Sequence, residues 1–165
     1  MSILVHNGRI IDIADEGNRE YIKTMCHKYP NANLILAHGS RCFASWTVIE
    51  NARKLKGISN LYYDISGICD TGAMAEIIRQ AGAGHVLWGS DYFVDRMHGK
   101  PVDCAEGFKW LYSYELEGTL DFPCSMLVCE SLFGFWCASL LLDIEREDIE
   151  KIFYKNGAKL FGIKL

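Results

Sequence analysis

The chain has 165 residues, of which half are hydrophobic, 23% are charged and 12% are aromatic. This composition is typical of a folded globular chain and excludes a disordered polymer. The formal net charge of −4 argues against nucleic acid as a partner, because nucleic-acid-binding proteins concentrate lysine and arginine on one surface.

The N-terminus and the cysteines both indicate a cytoplasmic protein. The first six residues lack the positive segment, the long apolar stretch and the small-residue cleavage site of a secretory signal. Seven cysteines are scattered without a C-x-x-C pair. We expect them to be reduced thiols that fill the core, with one nucleophilic cysteine as the alternative. They are Cys26, Cys42, Cys69, Cys104, Cys124, Cys129 and Cys137.

The run from Cys124 to Leu142 is the most hydrophobic part of the chain. Its length approaches the roughly 20 residues that span a bilayer. However, Glu130 lies near its middle, Gly134 interrupts it, and no lysine or arginine flanks either end. We therefore expect no membrane segment, and instead a buried helix or a helix at a subunit interface.

Four short apolar runs without alternation indicate strands that are buried on both faces, as in a parallel sheet. Segments with helical spacing separate these runs, and strand–helix alternation predicts a parallel α/β fold. The predicted strands are Ser2–Val5, Leu34–Ala37, Leu61–Ile65 and His85–Trp88.

The helices are bounded by recognisable signals. The first helix spans 16–29 and stops at Pro30, and the second runs from Trp46 to Leu55. Thr71 is the expected N-cap of the third helix. After the fourth strand we expect a helix near Cys104 to Glu115, then the apolar run, and a final helix from Arg146 to Tyr154.

Polar residues follow the strands at His6, His38, Asp64 and Asp91, at steps close to the roughly 30 residues of one βα unit. In parallel α/β folds the loops after the strands form the active site. Imidazole nitrogens and carboxylate oxygens are ligands of divalent metals, so His6, His38 and Asp91 are candidate metal ligands.

Each candidate also has a structural interpretation. His6 could be an uninvolved histidine at the end of the chain, His38 could be satisfied by loop hydrogen bonds, and Asp91 could cap a turn. Asp64 is more readily a structural or supporting residue than a ligand. Arg41 could bind a substrate carboxylate through its guanidinium group, or it could be an ordinary surface arginine.

The order of these motifs resembles the C-terminal half of the amidohydrolase-related family. That family groups metal-dependent hydrolases with nonoxidative decarboxylases such as aminocarboxymuconate-semialdehyde decarboxylase. The resemblance covers nearly the whole chain, and each motif is weak alone, but five occur in order. The motifs are Val5-His6, Tyr29 to Gly39, Leu61 to Gly67, Gly84 to Tyr92, and Ile152 to Gly162.

The resemblance implies the C-terminal half of a (β/α)8 TIM barrel, with residues 1–165 as a single domain. It implies that His6, His38 and Asp91 follow the fifth, sixth and eighth strands of the barrel. The resemblance makes His6 and Asp91 metal ligands, whereas His38 would be a ligand in binuclear hydrolases and a catalytic histidine in decarboxylases. Asn156 to Gly162 resembles the terminal signature that closes the barrel.

The chain also departs from the family pattern. The family begins with a strand that carries His-x-His or Glu-x-His, and no such motif is present here. A barrel of this kind needs roughly 250 residues, so about four βα units are expected to be missing. Phe93 stands where the family commonly has a proline.

The resemblance therefore implies a metal-dependent hydrolase or nonoxidative decarboxylase that acts on a small organic substrate. The expected cofactor is a divalent metal, with Zn²⁺ as the first choice, and Asp91 would act as the general acid and base. The first alternative is an inactive half-barrel that serves as a binding or assembly module. The second alternative, which the residues favour less, is a metal-dependent nuclease on a related barrel. The expected partner is a second copy or the missing N-terminal half.

Overall fold

The computed structural model describes residues 1–6, 13–104, 107–118 and 124–165. Its centre is a four-stranded parallel sheet in which the strands follow one another in chain order. The sheet confirms the α/β class, and every strand falls within one residue of its predicted start. The strands are β1 (Ser2–Val5), β2 (Asn33–Leu36), β3 (Leu61–Asp64) and β4 (Val86–Leu87).

Helices connect these strands as predicted: α1 (Glu16–Lys28), α2 (Ser45–Asn51) and α3 (Thr71–Ala81). A 3-10 turn over Ala52–Leu55 extends α2 to the predicted end. The N-cap of α3 is Asp70 rather than Thr71, because the Asp70 carboxylate accepts a hydrogen bond of 2.6 Å from the backbone N–H of Ala73. The prediction for Thr71 was therefore wrong by one residue.

The two faces of the sheet have different neighbours. Side chains alternate between the faces of a strand, so Leu36, Tyr63 and Val86, which are paired across β2, β3 and β4, share one face. All three belong to the buried core under the helices. Ile35 and Leu87 point to the opposite face, where they line a pocket. The sheet therefore separates a packed helical core from an open, pocket-bearing side.

The segment after β4 corrects one prediction. Most of the helix expected near Cys104 to Glu115 is instead an antiparallel hairpin of β5 (Gly99–Cys104) and β6 (Gly107–Tyr112), and a 3-10 turn over Ser113–Glu115 follows it. Residues 105–106 lie outside the described residues. Phe108 and Trp110 alternate on one side of β6 and pack against Phe43, with ring centroids 4.8 and 5.6 Å apart. The spacing of two is that of a strand.

The apolar run forms one helix, α4 (Leu127–Leu142). A Cβ atom at Gly134 would lie 2.5 Å from the carbonyl oxygen of Cys69, so α4 approaches the backbone closely at this glycine. Among the described residues, no helix combines the length and hydrophobicity needed to cross a bilayer.

The chain ends in a helical segment that is longer than predicted. It consists of α5 (Arg146–Glu150), a π-helical turn over Lys151–Lys155, and α6 (Asn156–Phe161). The side-chain amide of Asn156 donates to the carbonyl oxygens of Ala83 and Val86, at 2.7 and 2.8 Å. These bonds fix α6 beside the start of β4, where Gly157 and Phe161 border the pocket.

Candidate active site

One pocket of about 410 Å³ lies on the open face of the sheet. Its walls come from the strands and from α6, and its polar residues follow the strand ends. His6, His38 and Asp91 all border it, so the structure brings the three predicted site residues to the same pocket. Asp64 and Ser66 also contribute polar side chains to its wall.

His38 begins an unusual turn directly after β2. Four consecutive residues, His38 to Arg41, have positive φ angles between 52° and 68°. A left-handed conformation costs an L-residue roughly 1–2 kcal/mol, and only Gly39 avoids this cost. Such strain persists only where the surroundings hold the backbone in place. The amide N–H of Cys42 donates to the carbonyl oxygen of His38 at 2.8 Å and closes the turn.

The His38 ring is held from one side by Ser66. Its Nδ1 atom lies 2.7 Å from the Ser66 carbonyl oxygen and 3.1 Å from Ser66 Oγ. A carbonyl oxygen can only accept, so Nδ1 carries a proton and Nε2 of the neutral ring is left as an acceptor. A histidine that binds a metal or takes up a proton through Nε2 needs this tautomer.

Asp64 supports Ser66 in turn. The Ser66 hydroxyl donates to Asp64 Oδ2 at 2.5 Å, and the Ser66 backbone N–H donates to Oδ1 at 3.1 Å. The backbone N–H of His38 also points to Oδ2, at 3.4 Å. Asp64 therefore joins the ends of β2 and β3, which agrees with its expected supporting position. The sequence reasoning overlooked Ser66, although its position two residues after Asp64 suits a short side-chain hydrogen bond.

Asp91 and His6 lie on the other sides of His38. The distance from His38 Nε2 to Asp91 Oδ2 is 3.9 Å. The His6 ring packs edge-on against the His38 ring, with centroids 5.2 Å apart and an angle of 84°. His38 is 7% exposed, whereas the His6 side chain is open to solvent. The Nε2 atom of the buried His38 ring thus lies near a carboxylate, and the ring itself contacts a second imidazole.

Arg41 does not border the pocket. Its guanidinium carbon lies 5.6 Å from the centre of the Phe108 ring, a cation–π geometry that directs the side chain towards the β5–β6 hairpin. Its assignment to substrate binding stays a prediction.

The imidazole nitrogens and carboxylate oxygens of the pocket are atom types that bind divalent metals. Metal–ligand bonds to imidazole nitrogen and carboxylate oxygen are about 2.0–2.2 Å long, so two donors 3.9 Å apart can share one ion. Within the described ranges, no three His, Cys, Asp or Glu side chains lie close enough together to hold an ion. His6, His38 and Asp91 therefore match the donor types of a divalent metal, but in the described ranges they do not form a complete metal site.

Comparison with known proteins places the chain in a family. The model of the amidohydrolase family matches residues 2–163. No curated protein sequence matches the chain. Two solved structures are similar to it over about 85% of its length: a protein assigned as an amidohydrolase, from Staphylococcus aureus, at 19% identity, and 5-carboxyvanillate decarboxylase LigW from Sphingomonas paucimobilis, at 15% identity.

Both similarities have a TM-score of 0.46, and the matched region covers 37% of the first structure and 36% of the second. The chain thus spans little more than a third of the length of either protein. The family match extends over nearly all of its own residues. This chain belongs to the amidohydrolase family.

Proposed function

We propose that this chain forms part of the active site of a metal-dependent hydrolase or nonoxidative decarboxylase. The substrate would be a small organic carboxylate, amide, ester or lactone. The observation that carries the proposal is the orientation of His38, whose Nδ1 is bound by Ser66 while Nε2 faces Asp91. Membership of the amidohydrolase family supports the same reaction class.

His6, His38 and Asp91 would hold a divalent metal, which we propose to be Zn²⁺. When bound, such an ion lowers the pKa of a coordinated water and polarises a substrate oxygen. His38 would enter this set already oriented, because Ser66 fixes both the ring plane and the proton position. His6 is the more exposed donor, and its ring packs against the His38 ring.

Asp91 would move the proton. Its carboxylate borders the pocket and lies within 3.9 Å of the imidazole, so it can accept a proton from a nucleophilic water and return it to the leaving group or to a carbanion. Asp91 has a φ angle of 61°, which aspartate tolerates better than most residues. This conformation sets where its carboxylate emerges after β4.

The walls of the pocket favour a small substrate with an apolar body. Leu4, Ile35 and Leu87 form its floor, and Phe161 lies at its border. A volume of about 410 Å³ falls in the range of roughly 300–1,000 Å³ that is usual for small-molecule sites.

Metal binding by the full chain tests this proposal. We expect isothermal titration with Zn²⁺ to give a stoichiometric complex, and His38→Gln and Asp91→Asn each to weaken it by at least about tenfold, the loss known even for residues that only support a ligand. The control is His27→Gln, an exposed histidine on α1, which should bind as the parent does. Two activity assays then distinguish the reactions. Release of CO2 from small carboxylates would indicate a decarboxylase, and hydrolysis of activated esters would indicate a hydrolase.

A second candidate function is an inactive half-barrel that acts as a binding or assembly module. The observation that favours it is the incomplete donor set, because no group of three potential ligands is close enough to hold an ion among the residues described. A folded chain that binds no Zn²⁺ and turns over no substrate would contradict the catalytic proposal and support this one.

A further inference from the structure

Helix α6 forms one wall of the candidate active-site pocket. Gly157 and Phe161 both border the pocket, and the interval of four residues between them places them on the same face of the helix. Leu4, Ile35 and Leu87 line the same pocket from the sheet. The space between the open face of the sheet and α6 therefore belongs to the pocket.

Hydrogen bonds tie α6 to the first and last strands of the sheet, at the ends where these strands begin. The Asn156 side-chain amide donates to the carbonyl oxygens of Ala83, before β4, and Val86, at its start. The Ser2 hydroxyl, at the start of β1, donates to the Leu160 carbonyl oxygen at 3.1 Å. Since β1 and β4 are the two edge strands, α6 reaches from one edge of the sheet to the other.

The outer edge of β4 also holds the segment that leads into α6. The Leu87 carbonyl oxygen accepts from the backbone N–H of Ile65 and therefore points towards the end of β3. Peptide groups alternate in direction along a strand, so the Trp88 N–H points to the other side, where it donates to the Ile152 carbonyl oxygen at 2.9 Å. The Phe153 ring stacks on the Trp88 indole, with centroids 5.2 Å apart. These contacts hold α6 in a fixed position relative to the sheet.

The pocket has a polar end and an apolar end. His6, His38 and Asp91 follow the strands, whereas α6 is anchored where β1 and β4 begin. From Ser2 to His6 an extended chain covers roughly 13 Å. A bound molecule that places its polar group beside His38 therefore extends its apolar part towards α6.

Gly157 leaves the apolar end open. A Cβ atom at this position would meet no heavy atom of the described residues within 4 Å, so a larger side chain would extend into free space beside the pocket. Phe161 is 62% exposed, and its ring is available for contact with a ligand. The wall thus combines a position without a side chain and an aromatic ring that is not packed into the core.

We propose that Gly157 and Phe161 determine how long an apolar group the active site accepts. The proposal rests on the proposed function, because it takes this pocket as the substrate site. The substrate would place its reacting group beside His38 and extend its apolar part along Ile35 and Leu87 to α6. The free space at Gly157 gives room for a long chain, and the Phe161 ring contacts it.

Binding of two amides to the full chain, followed by methyl ¹³C NMR without metal or turnover, tests the proposal. Acetamide and hexanamide share the amide group, and hexanamide has the longer apolar chain. We expect hexanamide to bind the wild type at least about tenfold more tightly, because each buried methylene group strengthens binding about fourfold. Hexanamide should shift the methyl resonances of Leu4, Ile35 and Leu87, but not those of Met74 and Ile77 in the helical core.

Three variants locate the binding of the chain. Gly157→Leu should lower the affinity for hexanamide at least about tenfold, because the new side chain fills the apolar end, and should change the affinity for acetamide less than about twofold. Phe161→Ala should weaken hexanamide binding at least about fourfold through lost contact area. The control is Lys159→Leu, which adds a leucine at an exposed position of α6 and should bind both amides as the wild type does. Circular dichroism checks that each variant is folded.

Equal affinity of the wild type for the two amides would overturn the role of α6. So would a folded Gly157→Leu variant that binds hexanamide as tightly as Lys159→Leu does. The proposed function can fail separately: a chain that shows the expected amide binding, but neither Zn²⁺ binding nor turnover, would support the wall formed by α6 and contradict the catalytic proposal. Zn²⁺ binding and turnover without any dependence on chain length would contradict the role of Gly157 and Phe161 alone.

Discussion

The Nδ1 atom of His38 lies 2.7 Å from the backbone carbonyl oxygen of Ser66. This contact joins the turn after β2 to the turn after β3, and it fixes a proton on one nitrogen of a buried ring. Ser66 Oγ contributes a second contact at 3.1 Å, because its own proton is donated to Asp64. The orientation of His38 therefore depends on a main-chain acceptor supported by a side-chain network.

The tautomer of His38 is the first prediction. We expect imidazole ¹⁵N spectra to show the proton of the neutral His38 ring on Nδ1. Ser66→Ala should keep this tautomer, because the carbonyl acceptor remains, while it removes the support from Oγ. A neutral His38 ring protonated on Nε2 in the wild type would contradict the hydrogen-bond assignment.

Gly89 gives a second prediction, because it leaves room for Asp64. A Cβ atom at position 89 would lie 2.9 Å from Asp64 Oδ1, and that carboxylate is held by Ser66. We expect Gly89→Ala to lower the free energy of unfolding by about 1–3 kcal/mol through overpacking, and to shift the His38 ring resonances.

Urea denaturation measures the effect of Gly89→Ala, with Gly84→Ala as the control. Gly84 lies before β4 and has no atom within 4 Å of an added Cβ, so its replacement should change stability by less than about 0.5 kcal/mol. If Gly89→Ala and Gly84→Ala had the same free energy of unfolding, the Asp64 carboxylate would be free to move away from an added Cβ atom, contrary to the structure.

The docking of α4 gives a third prediction. A Cβ atom at Gly134 would meet the Cys69 carbonyl oxygen at 2.5 Å, and backbone cannot move aside as a flexible side chain can. We expect Gly134→Ala to destabilise the protein by about 1–3 kcal/mol. Gly157→Ala, at a helical position with nothing within 4 Å, should stabilise it by about 0.5–1 kcal/mol. Thermal unfolding compares the two, and a stable Gly134→Ala variant would show that α4 is not held at this point.

The strands and the strand-end residues could be predicted because their signals are local. Each strand is a short apolar run, and each run is followed by a polar residue. Parallel strands bring their carboxyl ends to one edge of the sheet, so the meeting of His6, His38 and Asp91 at one pocket follows without any knowledge of side-chain contacts. Their chemical roles stay predictions, since geometry alone does not assign them.

The Ser66 contact and the hairpin could not be predicted in the same way. The pairing of His38 with Ser66 depends on the register of β2 with β3, in which Leu36 is opposite Tyr63, and register is a property of two distant segments. The hairpin depends on the packing of Phe108 and Trp110 against Phe43. Without knowledge of that contact, the residues near Cys104 to Glu115 were predicted to form a helix.

The buried thiols give a fourth prediction, on alkaline stability. Burial raises the pKa of Cys69 from its ordinary value of 9.0 to about 12, and it also raises the pKa values of Cys26 and Tyr63. Between pH 9 and 12 the unfolded chain loses the Cys69 proton while the folded chain keeps it. The folded state then binds more protons, so its stability falls as the pH rises.

Each such group lowers the free energy of unfolding by at most about 1.4 kcal/mol for every pH unit, and it has no effect below about pH 8. We expect denaturant unfolding between pH 8 and 11 to show this decline. Cys69→Ala should flatten it without abolishing it, because the Cys26 thiol and the Tyr63 hydroxyl remain buried. Cys104→Ala, which removes an exposed thiol, should leave the slope unchanged. A pH dependence that is identical in all three proteins would mean that Cys69 titrates freely and that the core beneath α4 is open to water.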